Sequence, residues 1–317
     1  MGSDSNRMVE AAFIFPGQGA QAIGMGKDLY ENFPQAKEAF DKASAILKFD
    51  LKKLCFEGPQ EELSLTKNSQ CAILATSIAA LRVFEASPIY ANYTPKLSMG
   101  LSLGEYTALV AAGSISLDDA LVLVRKRGEF MDEASRKNPG KMACVIGMDM
   151  KAVEELCKGF GCEIANLNCP GQVVVSGKTN NIELFASFAK EKGAKRVLML
   201  DVSGPFHSSL MTSARDKLKE YIDNVRIDPP KIPFISNVDA KIQSDPAIIK
   251  ENLIAQVNSK TLWEESVKLA AGSGIKTFVE IGPGQVLKGL LKKIDPSLEV
   301  KNVGTSQDIR EPVTSSS

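Results

Sequence analysis

Along this chain, short unbroken apolar runs alternate with longer stretches in which apolar residues recur every three or four positions. The first kind reads as buried strands and the second as amphipathic helices. Residues 11–15 (AAFIF) make a buried first strand, broken by the loop Pro16-Gly17-Gln18-Gly19-Ala20-Gln21. Residues 33–47 carry helical spacing through Ala36, Phe40, Ala43 and Leu47, and residues 71–84 are apolar on most sides, as in a central buried helix. A strand at 97–99 runs into Gly100-Leu101-Ser102-Leu103-Gly104, and a helical pattern follows at once. Ser116-Leu117-Asp118-Asp119 has the make-up of a capping box opening a helix as far as Met131.

Between 142 and 202 the rhythm changes to strand (143–147), helix (151–160), strand (162–167), strand (172–176), helix (182–192) and strand (196–200). That order is βαββαβ, the split-βαβ or ferredoxin-like pattern. Beyond it the chain resumes with a helix at 210–222, a short strand at 233–236 and a helix from Asp245-Pro246 to Gln256. A helix at 262–271, a strand at 276–280 and a helix at 286–294 follow. The expected fold is therefore α/β: a large subdomain (9–138 and 205–307) with a mainly parallel sheet, into which a ferredoxin-like small subdomain (139–204) is inserted. Residues 1–8 and 308–317 read as flexible ends, and function is expected at the carboxyl ends of the parallel strands.

Composition narrows the classes. Lys+Arg and Asp+Glu are both 38, so no broad electrostatic footprint for nucleic acid or an anionic membrane is expected. No apolar run reaches the length of a membrane span. The polar start, MGSDSNRM, lacks the apolar core of a secretory signal and reads as an expression remnant or a cut transit-peptide boundary. The six cysteines form no CxxC pair and read as reduced structural thiols. His207 is the only histidine, which argues against an imidazole-rich metal site and leaves one imidazole for any serine nucleophile.

The GxSxG segment has two readings, an ordinary Gly/Ser turn capping a helix or a nucleophile elbow that exposes the Ser102 hydroxyl. The second needs a base, oxyanion donors and a substrate anchor. His207, in a turn before a helix, is the one candidate base, though taken alone it also reads as an exposed loop residue. The Leu103 N–H heads the serine helix and is a natural oxyanion donor, and glycine-flanked Gln18 can supply the other. Its loop lacks the third glycine of a dinucleotide fingerprint and the Lys-Ser/Thr of a P-loop. Arg125, Lys126 and Arg127 are adjacent on one helix and point in different directions, so that one can turn inward.

The ordered segments FPGQGAQ (15–21), GLSLGEYTALVAAG (100–113), VRKRGEFM (124–131), NCPGQVVVSG (168–177), GPFHSSLM (204–211), ISNVDA (235–240) and VEIGPGQVL (279–287) resemble one family. It is that of the malonyl-CoA:acyl carrier protein transacylases and the acyltransferase domains of polyketide synthases, and the resemblance spans nearly the whole chain. It implies that Ser102 is the acyl-accepting nucleophile, His207 its base, and the backbone N–H groups of Gln18 and Leu103 the oxyanion hole. It implies that Arg127 holds the malonyl carboxylate, that Phe206 crowds an α-methyl group, and that Asn166 and Asn168 are polar groups near the site. Lys195 and Arg196 would face the phosphopantetheine arm. The implied reaction moves malonyl from malonyl-CoA to acyl carrier protein through a malonyl-serine, in fatty acid biosynthesis. No metal or redox cofactor is expected, and a monomer is expected in a bacterial cytoplasm or a plastid or other organelle stroma.

Two departures stand out. Leu101 occupies a position where many members have histidine, and Leu262 precedes Trp263 where the family usually has glutamine. That residue's backbone carbonyl would orient His207, a role that survives the side-chain change. The rival readings are a discrete acyltransferase serving a polyketide synthase, a serine thioesterase or esterase with an acid such as Asp201, and a carrier-protein-binding scaffold with a silent site.

Overall fold

The computed structural model describes residues 8–309. Among the described residues ten strands form two sheets: β1 (Val9–Phe15), β2 (Tyr93–Gly100), β3 (Gly140–Ile146), β4 (Glu163–Cys169), β5 (Gln172–Lys178), β6 (Arg196–Met199), β7 (Phe234–Ile235), β8 (Ile242–Gln243), β9 (Thr277–Ile281) and β10 (Glu299–Val303). The larger sheet has the order β10-β9-β1-β2-β7-β8. Its pairs are parallel except β7 with β8.

The apolar run of β1 follows from burial on both faces. With a side-chain period of two, Ala11, Phe13 and Phe15 enter one core, shared with the helix Thr66–Glu85. Ala12 and Ile14 enter a second core with Trp263 and Leu287. Helices thus cover both faces of the sheet, and the carboxyl ends of β1 and β2 meet side by side, Phe15 opposite Gly100.

The smaller sheet has the order β4-β5-β3-β6 and is antiparallel throughout. Its helices, Met150–Phe160 and Thr179–Glu191, pack on one face through Val153, Ile182 and Phe185. The split-βαβ rhythm of the sequence is realised strand for strand. A bridge between Asn166 and Thr261 ties this sheet to the large subdomain.

Some expectations require correction. The central helix begins at Thr66 rather than at 71, and the helix opened by the Ser116 cap continues to Lys137. The strand β10 is not among the expected elements, because only Val300 and Val303 of Glu-Val-Lys-Asn-Val turn inward. The flexible end expected from 308 does not start there. Ser306–Ile309 is a helical turn, held by the Ser306 N–H donating to Asp28 at 2.7 Å and by the buried Ile309. Residues 1–7 and 310–317 of the expected flexible ends lie outside the described residues, and Met8 is exposed. All six cysteines are buried and free. Among the described residues no helix is long and apolar enough to cross a membrane.

Candidate active site

β2 ends at Gly100, and the helix Gly104–Ala111 begins four residues later, so the chain reverses direction over Leu101-Ser102-Leu103. Ser102 takes φ 51°, a left-handed conformation that a serine adopts only when its surroundings impose it. The flanking glycines are required by space. A Cβ on Gly100 would meet the Gly104 backbone, and one on Gly104 would meet the Phe15 carbonyl.

Asn237, in the ISNVDA segment, fastens the turn from outside. Its Oδ1 accepts the Ser102 N–H at 2.6 Å and its Nδ2 donates to the Gly100 carbonyl at 2.7 Å. Replacing Asn237 with alanine leaves both backbone groups without these partners, at about 1–3 kcal/mol for each such group that stays buried. A stability loss on the order of 2–4 kcal/mol is expected, read as a lower denaturant midpoint in equilibrium unfolding.

The base lies directly across the turn. His207 Nε2 is 2.8 Å from Ser102 Oγ. On the far side of the ring, Nδ1 lies 2.8 Å from the Gln256 carbonyl and 3.2 Å from the Ser259 carbonyl. Carbonyls only accept, so Nδ1 carries the proton and Nε2 presents its lone pair to the serine hydroxyl. The orienting carbonyls are therefore those of Gln256 and Ser259, and the expectation for Leu262 is corrected. The Leu262 carbonyl accepts instead from the N–H and hydroxyl of Ser266, because Leu262 caps the helix Trp263–Gly272. His207 is buried, and that burial, with the Arg127 charge beside it, lowers its pKa to about 4. The ring is thus neutral, its Nε2 lone pair unprotonated, across the working range. With a group active only when deprotonated, kcat/KM should stay level as pH falls and drop only through about 4, not through the ordinary 6.5. A pH–rate profile checks this.

The Gln18 and Leu103 N–H groups donate to no acceptor among the described residues, which leaves them available to a developing oxyanion. Of the three adjacent cations, Arg127 is the one turned inward, only 1% exposed. Its Nη1 donates to Gln70 Oε1 at 2.8 Å, and its Nη2 donates to Ser102 Oγ at 3.0 Å and to Gln256 Oε1 at 2.9 Å. Its Nε has no partner among the described residues, so the guanidinium keeps unused donor capacity. Burial lowers its pKa, opposed by Tyr106 and Glu105, and guanidinium remains charged at any working pH.

Gln18, Ser102, Arg127 and His207 line a cleft of about 190 Å³ between the two sheets, which also takes in Asn166, Asn168 and Phe206. Asn166 spends its Nδ2 on Thr261 Oγ1 at 2.6 Å and so braces the subdomains. Asn168 Oδ1 is buried without a partner among the described residues and is the freer polar group for a ligand. Lys195 and Arg196 are exposed at the edge strand β6 and do not line the cleft, so the structure does not bring them to the site. The expected basic edge is there, but the Lys195 side chain lies over Gly147 instead. A larger cleft, about 740 Å³, lies by Phe49 and Arg125 and contains none of Ser102, His207 or Arg127. Chemistry, not size, locates the site.

Sequence reasoning missed Gln70, Glu105, Asn237 and Gln256 as participants. Glu105 carried a signal, an acid in an otherwise apolar helix start (GEYTALVA). No carboxylate touches His207 among the described residues, and Asp201 is exposed, so the Ser-Asp-His hydrolase alternative lacks its acid.

Residues 12–305 match the family model described as an acyl transferase domain. The chain is 50% identical to the malonyl CoA-acyl carrier protein transacylase of Bacillus subtilis (strain 168), covering 95% of this chain and 96% of that protein. The crystal structure of the acyl-carrier-protein-S-malonyltransferase from Bartonella henselae superposes with a TM-score of 0.91 at 42% identity, over 95% of this chain and 97% of that one. A malonyl-transacylase solved in complex with its type II polyketide acyl-carrier protein gives a TM-score of 0.91 at 38% identity, over 95% and 97%.

Proposed function

The chain belongs to the acyl transferase domain family, and from that premise we propose that it transfers malonyl from malonyl-CoA to the phosphopantetheine thiol of acyl carrier protein. One observation carries the reading. A single hydroxyl, Ser102 Oγ, has a neutral imidazole at 2.8 Å and a buried guanidinium at 3.0 Å. Nucleophile, base and carboxylate-binding cation therefore share one hydrogen-bond sphere.

His207 Nε2 takes the Ser102 proton as Oγ attacks the thioester carbonyl, and the oxyanion points at the Gln18 and Leu103 N–H groups. Collapse expels the CoA thiolate, which His207 protonates. The Arg127 guanidinium, with its Nε unpartnered among the described residues, takes the malonyl carboxylate as malonyl-CoA enters and holds it through both half-reactions. In the second half His207 deprotonates the carrier thiol, the thiolate attacks the ester, and Ser102 recovers its proton. The cycle is ping-pong and calls for no metal or redox cofactor, since imidazole moves the protons and amides hold the charge. The Phe206 ring at the cleft wall disfavours an α-methyl group.

Fatty acid biosynthesis is the pathway this chemistry serves, in a bacterial cytoplasm or an organelle stroma. All the groups named come from one chain, and a monomer suffices. Malonyl-loaded enzyme offered equal amounts of a fatty-acid and a polyketide carrier protein should discharge preferentially to the first. Preferential discharge to the polyketide carrier would assign it to that pathway instead.

A further inference from the structure

Two acids are fully buried among the described residues, Glu105 and Glu280, and the malonyl-transfer cycle gives neither a task; Glu280 caps the helix Val286–Ile294 through the Leu287 and Lys288 N–H groups, which leaves Glu105. Glu105 lies in the first turn of the helix Gly104–Ala111, 0% exposed. Its oxygens serve two different residues. Oε1 accepts the backbone N–H of Asn237 at 2.6 Å, and Oε2 accepts from Gln256 Nε2. Asn237 is the clamp on the Ser102 turn. Gln256 reaches further: its Nε2 also donates to the Ser102 carbonyl at 2.8 Å, its Oε1 accepts from Arg127 Nη2 at 2.9 Å, and its own carbonyl accepts from His207 Nδ1.

We propose that Glu105 is a positioning residue that fixes the orientation of the Gln256 side-chain amide and, through it, the Arg127 guanidinium, so that selectivity for malonyl rests on a carboxylate that never touches substrate. This rests on the malonyl-transfer reading above.

Donors and acceptors must match along this path. Asn237 N–H, Gln256 Nε2 and Arg127 Nη2 are all donors, so the groups between them must accept. A carboxylate presents an acceptor to Asn237 and to Gln256 together, and the Gln256 amide then has only one satisfactory pose, oxygen toward Arg127. An isosteric glutamine at position 105 presents one acceptor and one donor. If its oxygen faces Asn237, its NH2 opposes Gln256 Nε2. If Gln256 then flips, its NH2 opposes Arg127 and its oxygen opposes the Ser102 carbonyl. If instead the new amide flips, its NH2 opposes the Asn237 N–H. Every arrangement leaves a buried mismatch on the path to Arg127 or to the serine turn, and such mismatches are costly where water cannot enter. Burial raises the Glu105 pKa, and the Asn237 and Gln256 donors, which only the ionised form can accept together, pull it back down.

The test compares wild type, Glu105→Gln and the exchange double variant Glu105→Gln/Gln256→Glu, measuring kcat/KM for malonyl-CoA and for acetyl-CoA together with the thermal midpoint. The single variant should keep a cooperative thermal transition while its malonyl-over-acetyl ratio falls about tenfold or more. The double variant restores an acceptor opposite both the amide NH2 introduced at position 105 and Arg127 Nη2, and should recover part of that ratio. A ratio unchanged in the single variant, or equal losses on both substrates without recovery in the double, overturns the proposal. Should Glu105→Gln fail to fold, Gln256→Glu alone, which sets carboxylate against carboxylate, must lower the ratio, and an unchanged ratio there also overturns it. A wild type that transfers no malonyl would instead remove the reading on which the proposal rests.

Discussion

Ser102→Ala is expected to lower malonyl transfer by about 10⁴-fold or more while leaving the protein folded. Its hydroxyl lies 2.8 Å from the neutral His207 ring, and among the described residues no other serine, threonine or cysteine side chain lines the cleft. Alanine fits the same turn, since the contacts that impose the left-handed backbone there come from the Ser102 N–H and carbonyl, bound by Asn237 and Gln256. Near-wild-type melting with transfer reduced to background is the expected pair of results. Stopped-time transfer assays with labelled malonyl-CoA read the rate, and circular dichroism reads the fold.

Arg127→Ala is expected to invert substrate choice. A charge-assisted, bidentate arginine–carboxylate contact contributes about 1.5–3 kcal/mol, or roughly 10- to 100-fold, and a malonyl carboxylate left unpaired in the cleft costs more again. Malonyl kcat/KM should therefore fall by about 10²- to 10³-fold. Acetyl transfer should hold or rise, because acetyl no longer strands a buried cation. Side-by-side steady-state kinetics with the two thioesters decide the matter. Equal losses on both would show that Arg127 serves only the frame formed with Gln70 and Gln256.

Much of this site is legible in the residues alone because its chemistry is carried by rare side chains in constrained settings. One histidine exists, so the base needed no choice. The glycines around Ser102 mark a crossing too close for any Cβ, and the structure shows both pressed against backbone. The βαββαβ insertion was visible because strand and helix periods alternate over a short stretch, with a Pro170-Gly171 turn between its middle strands.

What escaped reading is what depends on backbone atoms and on long-range closure. Every residue has the same carbonyl, so nothing in the letters distinguishes Leu262 from Gln256 as the partner of His207. The choice is made where the helix Pro246–Gln256 ends and the chain folds back through Ser259. Glu105 and Asn237 sit 132 positions apart, and no local pattern shows that they meet. Lys195 and Arg196 illustrate a further limit: two basic letters on an edge strand fix neither the direction nor the reach of flexible side chains.

The most direct measurement is the intact mass of the wild-type protein after brief exposure to malonyl-CoA, followed by peptide mapping and then by addition of either buffer or holo-acyl carrier protein. The mechanism predicts a gain of one malonyl group, located on Ser102, that persists in buffer and disappears when the carrier thiol is added. No adduct, or an adduct that decays as fast in buffer as with the carrier, would contradict it.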